Sequence, residues 1–326
     1  MSIQFSVFLP SGFGQDFARI PDPIAAFETL SRVAAAADEL GYETLWVPDH
    51  LTTIPPSQEI VFEAWSLITA LARDTARIRL GQLVTGNGYR NPALQAKMAS
   101  TVDVISRGRL TFGIGAGWYE PDYAGYGYEF GSAGERLRRL EEAVQIILSL
   151  WTDAEATYEG KYYRVSGAVN QPKGIQSPHV PMMIAGGGEK VTLRLVAKYG
   201  DACNVIESPA RLEHKYAVLK KHCDDLGRDY HTIRRTATTL CIIRDTDEEA
   251  RAQIPPGAEF AYPGDLGRYG LVGTVDTIRD RIAAYEAAGV QELVIGFEDP
   301  TSVGHVRQFA AEFIKQPGLQ MATPMR

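Results

Sequence analysis

The chain has 326 residues, with 33 Lys and Arg against 40 Asp and Glu, a formal net charge of -7, 45% hydrophobic and 22% charged residues. Such a balance suits a globular enzyme and offers no basic field for phosphate backbones or anionic membranes, so neither is an expected partner. No stretch reaches the roughly 18 uninterrupted apolar residues of a membrane span, and Met1 to Leu9 read directly as a strand, so the expected location is the cytosol.

The first strand is Ile3 to Leu9, and the first helix, Ile24 to Leu40, repeats Phe27, Leu30, Val33, Ala34 and Ala37 at helical spacing before Gly41 ends it. Thr44 to Val47 is short and continuously apolar in character, as a parallel strand covered on both faces should be. A helix near Phe62 to Arg73, a strand Ile78 to Val84, a helix Pro92 to Ser106 and a strand Leu110 to Ile114 continue the alternation. Further strands are expected at Met182 to Ala185, Asp201 to Val205, Thr236 to Ile243 and Glu292 to Phe297.

Eight strands with interleaved helices predict one domain spanning 1–326, a closed (β/α)8 TIM barrel; a doubly wound open sheet is the competing architecture. Three segments exceed ordinary loop length, Ala116 to Gly134, Asp153 to Pro181 and Ala252 to Val272, and are expected to cover or build a site. The tail Gln316 to Arg326 reads as loose. Cys203, Cys223 and Cys241 are odd in number and far apart, and the six histidines show no ligand spacing, so reduced thiols and no metal site are expected.

In such a barrel the residues that follow each strand carry the chemistry. The second strand ends in Val47-Pro48-Asp49-His50, where a histidine can move a proton and a carboxylate can fix a cofactor or the imidazole; the plain alternative is that Asp49 caps a turn. The third leads into Leu83-Val84-Thr85-Gly86-Asn87-Gly88, whose glycines permit backbone approach to a planar ligand or make a simple turn. After the fourth comes Gly113-Ile114-Gly115-Ala116-Gly117-Trp118-Tyr119-Glu120-Pro121. Its glycine spacing and Pro121 fail the dinucleotide-binding pattern, so the small residues there are read as room for a ring.

Trp118 and Tyr119 either wall a substrate pocket or pack. Ala185-Gly186-Gly187-Gly188, running into a helix expected from Glu189 to Tyr199, is the phosphate candidate, against an ordinary turn with Glu189 poorly placed for an anion. The charged helix from Glu135 reads as a solvated face from which one arginine could reach a phosphate, and His214, His222 and His231 as surface residues.

Together these segments resemble the luciferase-like flavin and deazaflavin oxidoreductases: Gly41 through His50, Arg77 to Gly81, Arg90-Asn91-Pro92, Arg107 through Pro121, Ala185 to Gly188, Gly200-Asp201 and Val272-Gly273-Thr274. The resemblance covers nearly the whole chain and implies a bacterial luciferase-like barrel with insertion segments. The Asp-His form after the second strand is similar to members that use the deazaflavin coenzyme F420, with FMN as the alternative. It implies that Asp49 contacts the cofactor and that His50 handles a proton at its redox carbon. A non-prolyl cis peptide bond is implied at Leu83–Val84. Ala116, Gly117, Gly187, Gly188 and Val191 match positions that bind the cofactor tail and phosphate, with Thr85, Gly86 and Asn87 beside them.

Relatives that oxidise glucose 6-phosphate have a glutamate where this chain has Trp118, so a more apolar substrate is expected. The expected reaction is hydride transfer between the cofactor's C5 and a small organic molecule. The alternatives are an FMN-dependent monooxygenase supplied by a separate reductase and a non-catalytic flavin-binding protein. Barrel relatives imply a homodimer.

Overall fold

Runs such as Thr44–Val47 and Met182–Ala185 lack polar alternation because their strands are covered on both faces, by the barrel lumen and by the helices outside. A computed structural model describes residues 3–314, and the tail Gln316 to Arg326 lies outside the described residues. Eight strands form the ring: β1 (Gln4–Phe8), β2 (Thr44–Val47), β3 (Arg79–Gln82), β4 (Leu110–Gly115), β5 (Met182–Ala185), β6 (Ala202–Val205), β7 (Arg234–Ile243) and β8 (Glu292–Phe297). Each pairs in parallel with its neighbour, and Gln4 beside Glu292 closes β1 onto β8. The barrel is closed, not an open doubly wound sheet.

One long helix follows each strand: α1 (Pro23–Leu40), α2 (Ala64–Asp74), α3 (Pro92–Ser106), α4 (Ala133–Thr152), α5 (Thr192–Tyr199), α6 (Pro209–Leu226), α7 (Val275–Ala287) and α8 (Val303–Phe313). Their starts carry local signals. Asp22 and Asn91 cap α1 and α3 with Pro in the first turn, and Ser132 with Glu135 forms a reciprocal capping box on α4. Gly41 ends α1 at φ 83°, the left-handed conformation expected of it.

The main core lies between barrel and helices, while Trp46, Met183, Ala202 and Val294 fill the lumen with Phe8, Leu83 and Val84 against them. Below them the buried Glu292 accepts Trp46 Nε1 at 2.9 Å and pairs with Arg234 at 2.8 Å, closing the barrel floor with satisfied polar groups. The lumen is therefore plugged, and only its C-terminal mouth is open to chemistry.

Most of the expected elements shift at a boundary by one to three residues, and two of the shifts bear on the barrel mouth. β3 stops at Gln82 and pairing resumes at Thr85–Gly86, because the Leu83–Val84 peptide bond between them is cis, as the family resemblance implied. α5 starts at Thr192 instead of Glu189, since Gly186 at φ 126° turns the chain and Val191 supplies no capping side chain. The long loops also hold structure of their own: a helix Glu120–Tyr126, a hairpin Ala156–Glu159 with Arg164–Ala168, and a short helix Leu266–Tyr269. Cys203, Cys223 and Cys241 are free and buried. Among the described residues no helix is long and apolar enough to cross a membrane.

Candidate active site

β2 delivers Asp49 and His50 to the barrel mouth, and the two side chains go different ways. Asp49 is buried, and its carboxylate accepts both Nη atoms of Arg90 (2.6 and 3.0 Å), the Thr85 hydroxyl (2.6 Å) and the Gly86 amide (3.1 Å). Arg90 also reaches Glu63 at 2.6 Å, the residue that caps α2 through the Trp65 and Ser66 amides. Burial works to lower the Arg90 pKa, but the Asp49 and Glu63 carboxylates outweigh it and raise it. The Asp49 and Thr85 side chains are thus committed to each other and to Arg90; they anchor the segment that follows the cis bond, and neither is free for the direct cofactor contact expected of it.

His50 points its ring into the mouth. It stacks on Phe13 with centroids 3.6 Å apart and planes 9° apart, and it meets Trp118 and Tyr119 edge-on. Its Nδ1 lies 2.8 Å from Oδ2 of Asp122, a fully buried carboxylate brought in by the helix Glu120–Tyr126. Tyr89 donates to the same oxygen at 2.8 Å, and Oδ1 accepts the Leu51 and Thr52 amides and the Thr52 hydroxyl. Burial pushes the Asp122 carboxyl up, but the bonds from His50, Thr52 and Tyr89 together hold it below the usual carboxylate range. By sequence Glu120 and Asp122 lie close to Trp118 but off the position of the relatives' glutamate, so neither carries an expected role; the fold brings Asp122 to His50.

A cavity of about 700 Å³ opens beside His50, with Phe13, Trp118, Leu83, Leu240, Phe260 and Phe297 among its apolar lining. Its charged lining is mostly acidic, with Asp16, Glu298 and Asp299 against Arg19. Of the two aromatic candidates, Trp118 lines this cavity and is 56% exposed. Tyr119 does not line it: the ring is buried and its hydroxyl donates to the Thr53 carbonyl at 2.8 Å, so it is packing behind His50.

A second, polar cavity of about 300 Å³ includes Asn87, Arg90, Ala116, Tyr123, Arg136 and Arg139 in its lining. Asn87 Oδ1 and the Tyr123 hydroxyl are buried there without hydrogen-bond partners. The Tyr123 hydroxyl can donate to an oxygen of a guest, whereas Asn87 Oδ1 can only accept from a donor on it. With the guanidinium groups beside them, of which Arg139 is paired with Glu129 at 2.7 Å, the cavity suits a polar guest that carries both kinds of group.

The glycine run after β4 is explained differently from the expectation. The Gln82 carbonyl fills the space over Gly113, a Val84 methyl lies over Gly115, and the Tyr123 hydroxyl occupies the place where a Cβ on Gly117 would stand, so these glycines accommodate the protein's own atoms. Gly187, Gly188 and Val191 line neither of the two cavities. Glu189, next to them, is paired with Lys215 at 2.7 Å, lies 3.2 Å from His214 Nε2, and accepts His222 through its carbonyl at 2.8 Å. Lys215, another residue the sequence did not single out, therefore places a cation beside that turn.

A closed parallel barrel with a histidine and carboxylate pair and an apolar cavity at its mouth defines the class: a (β/α)8-barrel protein with an enzyme-type mouth site. The sequence model of the luciferase-like monooxygenases matches residues 3–270, and the chain belongs to that family of oxidoreductases. It is 26% identical over 253 residues to an FMNH(2)-dependent dimethylsulfone monooxygenase of Pseudomonas putida, covering 64% of this chain and 67% of the relative. It is 34% identical over 173 residues to an F420-dependent glucose-6-phosphate dehydrogenase of Amycolatopsis mediterranei, covering 52% of this chain and 49% of the relative. The fold superposes on an F420-dependent secondary alcohol dehydrogenase in complex with an F420-acetone adduct, with a TM-score of 0.77, 20% identity and coverage of 96% and 97% of the two chains.

Proposed function

We propose that the protein is a coenzyme F420-dependent oxidoreductase that transfers a hydride between the deazaflavin C5 and a small, largely apolar organic substrate. The observation that carries this reading is the placement of His50, held on its Nδ1 side by Asp122 and facing a mainly apolar cavity that Leu83 of the cis bond also lines. The F420-dependent relative from Amycolatopsis mediterranei supports the same choice of cofactor.

When bound, a deazaflavin supplies hydride chemistry without activating oxygen. Leu83 and Val84 would back its ring, while Asn87 and Ala116 would flank its side chain. Arg136 and Arg139, the latter already paired with Glu129 at 2.7 Å, would take its anionic end. Asp49 serves by holding Thr85 and Gly86 in place. His50 accepts or donates the proton that accompanies the hydride, and the aromatic walls exclude water from the exchange. Trp118 and the acidic lining of the mouth disfavour a sugar phosphate, which supports an uncharged substrate.

A second reading is an FMN-dependent monooxygenase fed by a separate reductase, favoured by the Pseudomonas putida relative. Incubation with F420 and a panel of secondary alcohols and ketones separates the two. Substrate-dependent change in the cofactor's visible absorbance without oxygen uptake supports the first; oxygen consumption with reduced FMN and none of that change overturns it.

A further inference from the structure

We infer that Asp122 is a positioning residue that fixes the neutral His50 ring with its proton on Nδ1, so that the atom facing the cavity, Nε2, presents a lone pair. The inference rests on the proposed role of His50 and adds the device that sets its polarity.

The argument is one of hydrogen-bond capacity. Four donors converge on the two Asp122 oxygens, the Tyr89 hydroxyl (2.8 Å) on Oδ2 and the Leu51 amide (3.2 Å), Thr52 amide (2.8 Å) and Thr52 hydroxyl (2.6 Å) on Oδ1, and Oδ2 also faces His50 Nδ1 at 2.8 Å. The backbone amides can only donate. A carboxylate so surrounded is acceptor-only, and the acceptor facing Nδ1 selects the tautomer that donates from Nδ1. The held ionisation of Asp122 agrees with this. Rotation of the ring offers no escape, because it is stacked on Phe13 and bounded by Trp118 and Tyr119. Nε2 has no hydrogen-bond partner among the described residues, and His50 lines the mouth cavity.

The consequence is directional. For a hydroxyl substrate the Nε2 lone pair would take the O–H proton. For a carbonyl substrate a His50 ring protonated on both nitrogens would return the Nε2 proton to the carbonyl oxygen. The accompanying hydride exchange is the chemistry that a bound deazaflavin would supply. With the proton on Nε2 of a neutral ring, the first of these steps has no base. A His-Asp pair in a Ser-His-Asp triad acts through the same selection of tautomer.

Nitrogen-15 spectra of the histidine-labelled full chain, without cofactor, read the tautomer directly. They are taken near about pH 8.5, above the range of an ordinary imidazole, and the His50 signals are assigned by their loss in His50→Ala. The wild-type ring is expected as the Nδ1–H form. Asp122→Asn can keep accepting the Leu51 and Thr52 amides while turning an NH2 donor toward Nδ1, so the ring is expected to switch to Nε2–H. Tyr89→Phe removes a competing donor and leaves the Nδ1–H form unchanged. A wild-type ring in the Nε2–H form, or an Asp122→Asn protein that keeps Nδ1–H, overturns the inference. The wild-type spectrum decides the matter even where the variant fails to fold. A protein with the expected tautomer that does not bind F420 would refute the proposed cofactor while leaving this inference standing.

Discussion

Asp49 and His50 are adjacent in sequence, but Asp49 is held in a buried ion pair while His50 lines the mouth cavity, where the proposed function gives it the chemistry. Asp49 ties the turn after β2 to the segment after β3 through Arg90, and its carboxylate is sealed from the cavity. Asp49→Asn leaves Arg90 buried with half its neutralisation gone, and loss of one partner of such a pair costs about 3–5 kcal/mol. Urea unfolding should show that loss; a change below about 1 kcal/mol would mean that the pair is as dispensable as an exposed one. His50 is the opposite case, packed between aromatic faces with one nitrogen left for the substrate. His50→Ala should keep the fold by circular dichroism and lower turnover by about 10²–10⁴, the usual worth of a positioned acid or base. Unchanged turnover would remove His50 from the chemistry.

Among the elements, the strands and long helices were legible because their signals are local: short apolar runs, a 3.6-residue period, Pro and Asp or Asn at the starts of α1 and α3. The family motifs also brought out the cis bond at Leu83–Val84. What the sequence did not reveal depends on distant packing. Asp122 lies 72 residues from His50, and only the fold makes them partners. Tyr119 and Trp118 are neighbours with similar chemistry, yet the Thr53 carbonyl captures one and leaves the other in the mouth. The hairpin Ala156–Glu159 with Arg164–Ala168 was hidden in a segment read as a long loop, because most of its residues are not buried and show no apolar run.

The glycines after β4 show the same limit, since motif reading could not tell room for a ligand from room for Tyr123. Gly117 sits at φ 83°, and an added Cβ also meets the Tyr123 hydroxyl. Gly117→Ala should therefore destabilise by about 1–3 kcal/mol from backbone strain and overpacking. Adding Tyr123→Phe should recover part of it in thermal unfolding; no recovery would assign the whole effect to the backbone.

For the molecule as a whole, several carboxylates hold the fold through bonds made only when ionised. Burial acts against Asp38, Glu63 and Asp122, yet amide, hydroxyl and charged donors keep all three below the ordinary range. A carboxyl with a depressed folded pKa contributes stability above its unfolded value, near about 4, and loses it as pH falls through the folded value. Asp16 acts in the opposite sense, because burial and the charge of Asp299 raise it. The three outnumber the one, so urea midpoints should fall between about pH 6 and about pH 3. Asp38→Asn, which weakens acceptance of the Ala76, Arg77 and Ile78 amides, should flatten that decline.

At the same scale, the proposed function assigns a planar ring to the apolar mouth and its anionic arm to the arginine-lined cavity, and the identity of that ring decides between hydride transfer and oxygen chemistry. Equilibrium titration of the purified protein with F420 and with FMN, followed by absorbance and fluorescence, measures this preference. Tighter, saturable binding of F420, weakened in Arg139→Ala, is the expected result. Tighter binding of FMN, accompanied by oxygen uptake once it is reduced, would contradict the account.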